Sequence, residues 1–342
     1  MRPRAGAVAA AFVANGLGGP SFLPRLPERQ AALGLSDAGL GVVLVGMAAG
    51  ALVASPLAGR LIGTLGSRPV AVVSALALGA SLWTAGAAPT ALTLALALAL
   101  IGACDAAMDT AMNANGAAYE GRTGRSIMHR LHGAWSVGAL TAAGVAALAA
   151  AAGVPLTAQL AATGLVIGGT VLLARTGLVP GRAVPPSLTS PAAPPASPPS
   201  SRVGWARPLV ILGMLTVGGA IIEGAPTDWS ALRLERLGTG PGTAALGVAV
   251  FMAGMLAGRA AGDHLTDRYG GGAVLRGGMV MVAAGLGLGV ALDRPVAFAL
   301  GLVLAGAGAS AFFPLAFSTA ARLPGVAPGA GAATVSLAAV GR

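Results

Sequence analysis

Asp105, Asp109 and Asn113 stand four residues apart in a stretch, from Ala91 to just past Met112, that is otherwise apolar over the thickness of a membrane. Spacing of i, i+4 and i+8 puts all three on one helix face, with Met108 and Met112 beside it. A carboxylate inside a bilayer is costly to hold and marks a solute or proton path. Two carboxylates one turn apart can pass a proton between themselves and water, which is the chemistry a proton-coupled carrier needs. The plainer alternative is that both acids hydrogen-bond to neighbouring helices or reach water at the membrane surface. Glu223, a third acid in an apolar stretch, can hold solute or proton or can hydrogen-bond near a helix mouth. His132 can exchange protons or serve as an interfacial hydrogen-bonding residue. Trp135 and Trp229 can stack on a sugar-like ring or anchor helices at the interface, and Arg25 and Arg233 mark helix ends.

Apolar helices must position these groups, and the composition provides them. With 55% hydrophobic and 9% charged residues and a mean hydropathy of +0.80, the apolar surface cannot be hidden in a soluble domain. Spans of about 20 residues are predicted at 6–24, 38–59, 69–88, 90–114, 134–153, 156–174, 208–225, 242–259, 273–292 and 295–319. An eleventh begins near Val326 and the sequence stops within it. Met1 to Arg4 followed by an apolar run has the look of a signal peptide, but further spans follow and it reads as the first transmembrane helix. Eight prolines between Pro180 and Pro199 make 178–206 a flexible linker, dividing a six-span bundle, 1–177, from an incomplete second one, 207–342.

All 21 basic residues are arginines, and their distribution separates topology from nucleic-acid binding. Counted along the spans, fifteen fall on one side and five on the other, with Arg342 unplaced. The positive-inside rule then puts the N-terminus in the cytoplasm of a multi-pass protein of the cytoplasmic membrane, with no nucleic acid as partner. Cys104, the single cysteine, lies within a span, so no disulfide framework exists. His129, His132 and His264 have no metal-ligand spacing, and with Lys absent there is no phosphate-binding Gly-Lys loop. Neither cofactor, metal nor enzymatic activity is expected.

Internal repetition is visible. Asn15-Gly16 before Arg25-Leu26 is echoed by Glu223-Gly224 before Arg233-Leu234, and Gly102 is echoed by Gly306. After the second span come Gly59, Leu61, Gly66 and Arg68; after the eighth come Asp263, Leu265, Asp267, Arg268 and Gly270. Two homologous halves in parallel orientation suit a rocking secondary transporter. The second of these loops resembles the cytoplasmic motif of the major facilitator superfamily, Gly-x-Leu-x-Asp-Arg-x-Gly, with Asp263 at the first-glycine position. The first loop has Gly63 and Thr64 where the acid and base belong. The resemblance implies a gating role for Gly59, Gly66, Arg68, Asp263, Asp267, Arg268 and Gly270 through ion pairs between helix ends. Alternatively these charges only mark a helix end.

Within that superfamily Asp109-Thr110-Ala111-Met112-Asn113 resembles the fucose permease type, as does His132-Gly133-Ala134-Trp135-Ser136-Val137-Gly138 at the start of the fifth span. That type has an acid in its first span, where this sequence has Asn15. The resemblance implies an all-α membrane protein of two pseudo-symmetric helical bundles, six spans plus an incomplete second half. It further implies a monomer in the lipid bilayer moving a small polar, sugar-like solute with protons, using Asn15, Asp105, Asp109, Asn113, His132 and Glu223. An exporter of amphipathic compounds and an inactive or sensor fragment are the alternatives, the latter because the resemblance implies twelve spans and the sequence ends at Arg342 before the last.

Overall fold

The computed structural model describes residues 3–123, 127–180, 206–312 and 315, and among these the regular structure is helical throughout. The first span is broken: α1 (Ala5–Gly16) is followed by α2 (Gly19–Phe22), a 3-10 turn over Leu23–Arg25, and α3 (Leu26–Leu33). The two parts bend by 42°. Pro20, Pro24 and Pro27 each fall in the first positions of a new helical segment, where a missing N–H costs no hydrogen bond. The rest of the first half comprises α4 (Asp37–Leu65), α5 (Ser67–Ala87), α6 (Ala91–Thr123), α7 (Met128–Ala151) and α8 (Leu156–Ala174). The second half comprises α9 (Ala206–Arg236), α10 (Pro241–Tyr269), α11 (Gly271–Ala291) and α12 (Pro295–Ala309). Seven of the described helices are long and apolar enough to cross a membrane, or eight with the bent pair counted as one span.

The predicted spans fall on these helices, the tenth only as far as Ala309, with 313–314 and 316–319 outside the described residues, and several helices are longer. The second runs to Leu65 instead of 59, the fourth to Thr123 instead of 114, the seventh to Arg236 instead of 225, and the eighth to Tyr269 instead of 259. Hydropathy reports the apolar middle of a helix, whereas backbone hydrogen bonding carries the helix beyond the hydrocarbon layer. In α9 it continues through Pro226, with Thr227 Oγ1 donating to the Gly224 carbonyl at 2.7 Å. Leu178 and Val179, which open the predicted linker, are buried against the first half. Asn115 holds them there: its Nδ2 donates to the Val179 carbonyl (3.1 Å) and to Ser67 Oγ (2.9 Å), while Val179 N–H donates back to Asn115 Oδ1 (3.1 Å). Residues 181–205 and the predicted eleventh span lie outside the described residues.

The halves repeat one another closely. Helices α4 and α10 are both 29 residues long and α5 and α11 both 21, each pair 204 residues apart. Gly66 and Gly270 join them with left-handed φ of 95° and 78°, and each donates its N–H back four residues, to Ile62 and Thr266. Only glycine takes this conformation without strain, which lets one span turn directly into the next. The helix contacts repeat as well. A Cβ on Gly50 would overlap the Ala99 carbonyl oxygen, and one on Gly254 that of Val303; Gly102 stands likewise against Met47, and Gly306 against Phe251. Where nothing hydrophobic drives helices together in lipid, such small-residue contacts let the backbones meet.

Between the halves, α7 packs along α10, and the end of the bundle bearing Leu33 and Arg236 is closed by α3 against α9. Arg236 pairs there with Asp37, and Trp229 packs into the apolar cluster of the first half beside Gly41. The other end, with Ala5, Thr123 and Tyr269, is the arginine-rich end.

Candidate solute and proton site

Three polar side chains meet where α1 breaks. Asn15 is 3% exposed and lies ten residues into α1, about 15 Å along its axis. Its Nδ2 donates to Asp105 Oδ1 at 2.9 Å, and its Oδ1 accepts from Trp135 Nε1 at 2.8 Å. Asp105 lies fourteen residues into α6, about 21 Å from its start, so the cluster stands deep in the bundle. Glycines make the meeting possible. A Cβ on Gly16 would overlap the Trp135 carbonyl oxygen and one on Gly138 that of Val13, so α1 and α7 touch backbone to backbone. A Cβ on Gly18, at the helix break, would stand 3.4 Å from Asp105 Oδ1.

Asp109 and Asn113 form a second group on the same helix. Asn113 Nδ2 donates to Asp109 Oδ1 (3.1 Å) and to the Asp109 carbonyl (2.9 Å). Asp109 is exposed, and so are Leu92, Leu96 and Leu100, yet at 100° per residue the leucines lie on the far side of α6. The acids therefore face away from the lipid-directed stripe, one turn apart, with Asp109 nearer the arginine-rich end. Met108 and Met112, expected beside this face, are fully buried in the helix packing.

The remaining candidates are dispersed. His132 is exposed near the start of α7, its ring edge-on to buried Phe12 with centroids 5.4 Å apart. Glu223 is buried midway along α9, in the second half, and its backbone carbonyl accepts from Thr227 Oγ1. Arg25 is 3% exposed and structural: it pairs with Glu28 through two bonds of 2.6 and 2.7 Å, donates to the Val154 carbonyl and reaches Gln159. Gln159 in turn donates to the Ser21 carbonyl, so the broken first span is tied to the start of α8. Arg233 pairs with Asp293 within the second half.

A model of the Major Facilitator Superfamily matches residues 8–342. The chain belongs to that superfamily. An uncharacterised MFS-type transporter of Yersinia pestis is 34% identical over 315 residues, covering 91% of this chain and 78% of the relative. The uncharacterised transporter y4wD of Sinorhizobium fredii is 33% identical over 338 residues, covering 98% and 86%. Among solved structures, a D-xylose-proton symporter superposes with a TM-score of 0.73 at 15% identity, covering 98% of this chain and 85% of that one. The nucleoside transporter NupG gives 0.72 at 16%, covering 98% and 87%. The major facilitator superfamily transporter FucP, in its outward conformation, gives 0.61 at 17%, covering 98% and 88%. This major facilitator is thus a transporter and not an enzyme.

Its loop motif keeps the backbone of the superfamily pattern more than the charges. Gly66 and Gly270 make the turns described above, whereas Gly59 stands on an open helix surface. Arg68 is half-buried and Asp267 exposed, while Arg268 lies over the Tyr269 ring at 5.3 Å. Among the described residues no salt bridge joins Asp267 or Arg268 to a neighbouring helix. The side chain of Asp263 lies outside the described residues.

The predicted eighth span ends at Arg259, and in this major facilitator that arginine lies well inside the helix. Arg259 lies ten residues before the end of α10, about 15 Å inside it. Its Nη1 donates to Ser136 Oγ on α7 at 2.7 Å, and its guanidinium stands 6.0 Å from the centre of the Trp135 ring. It therefore joins the second half to the Asn15–Asp105–Trp135 cluster. The misplacement came from ending the eighth span after about 20 residues. The Gly66–Gly270 correspondence, which puts the helix end at Tyr269, is the signal that would have corrected it.

Proposed function

We propose that this transporter is a secondary carrier working by alternating access, moving a small polar solute together with protons across the cytoplasmic membrane, with its arginine-rich end and N-terminus in the cytoplasm. The observation that carries the reading is the hydrogen-bonded chain Trp135–Asn15–Asp105 deep in the bundle, with Asp109 exposed one turn toward the arginine-rich end. Trp135 and Asn15 offer a flat apolar face and an amide to a solute, and Asp105 and Asp109 lie on a helix face from which a proton can step toward water. Closure at the opposite end by α3 and α9, with the Arg236–Asp37 pair across it, supports a state open toward the cytoplasm. The positive-inside distribution supports the orientation. Likeness in fold to a D-xylose-proton symporter and a nucleoside transporter supports a hydroxyl-bearing solute.

Asp109→Asn tests the coupling. The substitution keeps the shape and removes the titrating group, so membrane insertion should persist while uptake loses its dependence on a proton gradient. Transport by the variant with the wild-type pH profile would remove Asp109 from the proton path.

A further inference from the structure

We infer that the solute carries an anionic group, a carboxylate or a group of similar charge and shape, and that Arg259 receives it. The inference rests on the carrier reading and names the class of solute for that same site.

Arg259 is a cation within a membrane-spanning helix, half-buried between the two halves of the molecule. Elsewhere the arginines with described ion pairs, Arg25, Arg233 and Arg236, lie at the opposite end of the bundle and are answered by Glu28, Asp293 and Asp37. Arg259 is instead answered by a neutral hydroxyl, Ser136 Oγ, and by the face of Trp135. A hydroxyl and an aromatic face compensate a half-buried cation less fully than an anion does. One described bond also leaves most of the guanidinium fork, whose planar N–H groups match a carboxylate in two-point contact.

Its position gives the mismatch a purpose. Arg259 contacts Trp135, whose Nε1 donates to Asn15, which in turn donates to Asp105. A solute that exchanges the Ser136 hydroxyl for its own carboxylate on Arg259 stays against the Trp135 ring, and its polar remainder points toward Asn15. Asp105 stands beyond Trp135 and Asn15 from this place, so a solute anion disfavours its ionised form and favours proton uptake there. Binding the anion also releases a hydrogen bond that ties α10 to α7, the contact that must open if the halves rock. One arginine thereby recognises the solute and senses its arrival.

The test uses the full chain, purified in detergent, and a panel of small carboxylates, sugar acids included, each paired with the neutral alcohol of the same carbon skeleton. Thermal unfolding should show protection by one or more carboxylates and none by its neutral counterpart. Arg259→Gln should weaken that protection at least about tenfold, as loss of a charge-assisted bond does, while Arg259→Lys retains part of it. Ser136→Ala, which removes the competing acceptor and with it the Oγ donation to the His132 carbonyl one turn back in α7, should bind as tightly as the natural chain or more so. The inference is overturned if no carboxylate protects, if the neutral partners protect equally, or if Arg259→Gln binds unchanged. It is also overturned if Ser136→Ala loses as much as Arg259→Gln, since Arg259 would then act only by holding the halves together. Should Arg259→Gln fail to fold, the Lys and Ala variants decide. Counterflow in proteoliposomes keeps the two readings apart. A carboxylate bound through Arg259 but never moved tells against the carrier, whereas a neutral solute moved equally by Arg259→Gln keeps the carrier and removes the anion.

Discussion

Breaking the Trp135–Asn15 bond and the Asn15–Asp105 bond separately and together measures how far the polar cluster acts as a unit. Trp135→Phe removes the indole N–H and leaves an aromatic ring. Asn15→Ala removes both the acceptor of that N–H and the donor to Asp105. Interhelical hydrogen bonds in bilayers contribute about 0.6 kcal/mol on average and up to about 1.7, and a bond to a carboxylate contributes about 1.5–3 kcal/mol. Trp135→Phe should therefore cost about 1 kcal/mol from the lost bond, plus whatever packing the smaller ring gives up. Asn15→Ala should cost about 2–5 kcal/mol. The double variant should fall short of the sum by the energy of the one bond they share, about 0.6–1.7 kcal/mol, because packing losses cancel in the cycle. The assay is reversible unfolding of the four proteins in mixed micelles by a denaturing detergent. Strict additivity would show that the 2.8 Å contact carries no energy and that the cluster does not hold α1, α6 and α7 in one arrangement.

Other outcomes follow from the same geometry. Gly102→Ala and Gly306→Ala each drive a methyl group into a facing carbonyl, at equivalent places in the two halves, and should cost about 1–3 kcal/mol in the same unfolding assay. Gly59→Ala, on an open helix surface, should be neutral or stabilising by up to about 1 kcal/mol, and equal stabilities for all three would refute the packing reading. Cysteines at 37 and 236, oxidised to a disulfide, should stop uptake until reduced, because that end must open in each cycle; undiminished uptake by the crosslinked protein refutes it. Removing about ten residues within 186–198 should leave membrane expression and uptake unchanged, as proline-rich chain of this kind supplies reach and not packing, and lost expression would show a packed role.

What was legible in the sequence was the part that repeats. Gly102 and Gly306 were visible as a pair because each sits where two helices touch backbone to backbone, a place that tolerates nothing larger. Apolar runs revealed the spans for a similar reason, since lipid constrains every residue that faces it. Helix ends are less legible: hydropathy falls where the hydrocarbon layer stops, but hydrogen bonding runs on, so the eighth predicted span stops at Arg259 and the fourth nine residues short of Thr123. Contacts between distant residues left no local trace. Nothing near Asn115 or Gln159 announces that one fastens residues 64 positions on or that the other receives an arginine 134 positions back. The polar cluster shows why one half cannot be read from the other. Asp105 corresponds at 204 residues to Ala309, so the scaffold repeats and the chemistry does not. For a carrier that rocks two halves about one site, symmetry is needed in the helix contacts, where both open states must cost nearly the same. The solute needs the opposite, different groups on its two sides, which Asp105 and Asn15 on one half and Arg259 on the other provide.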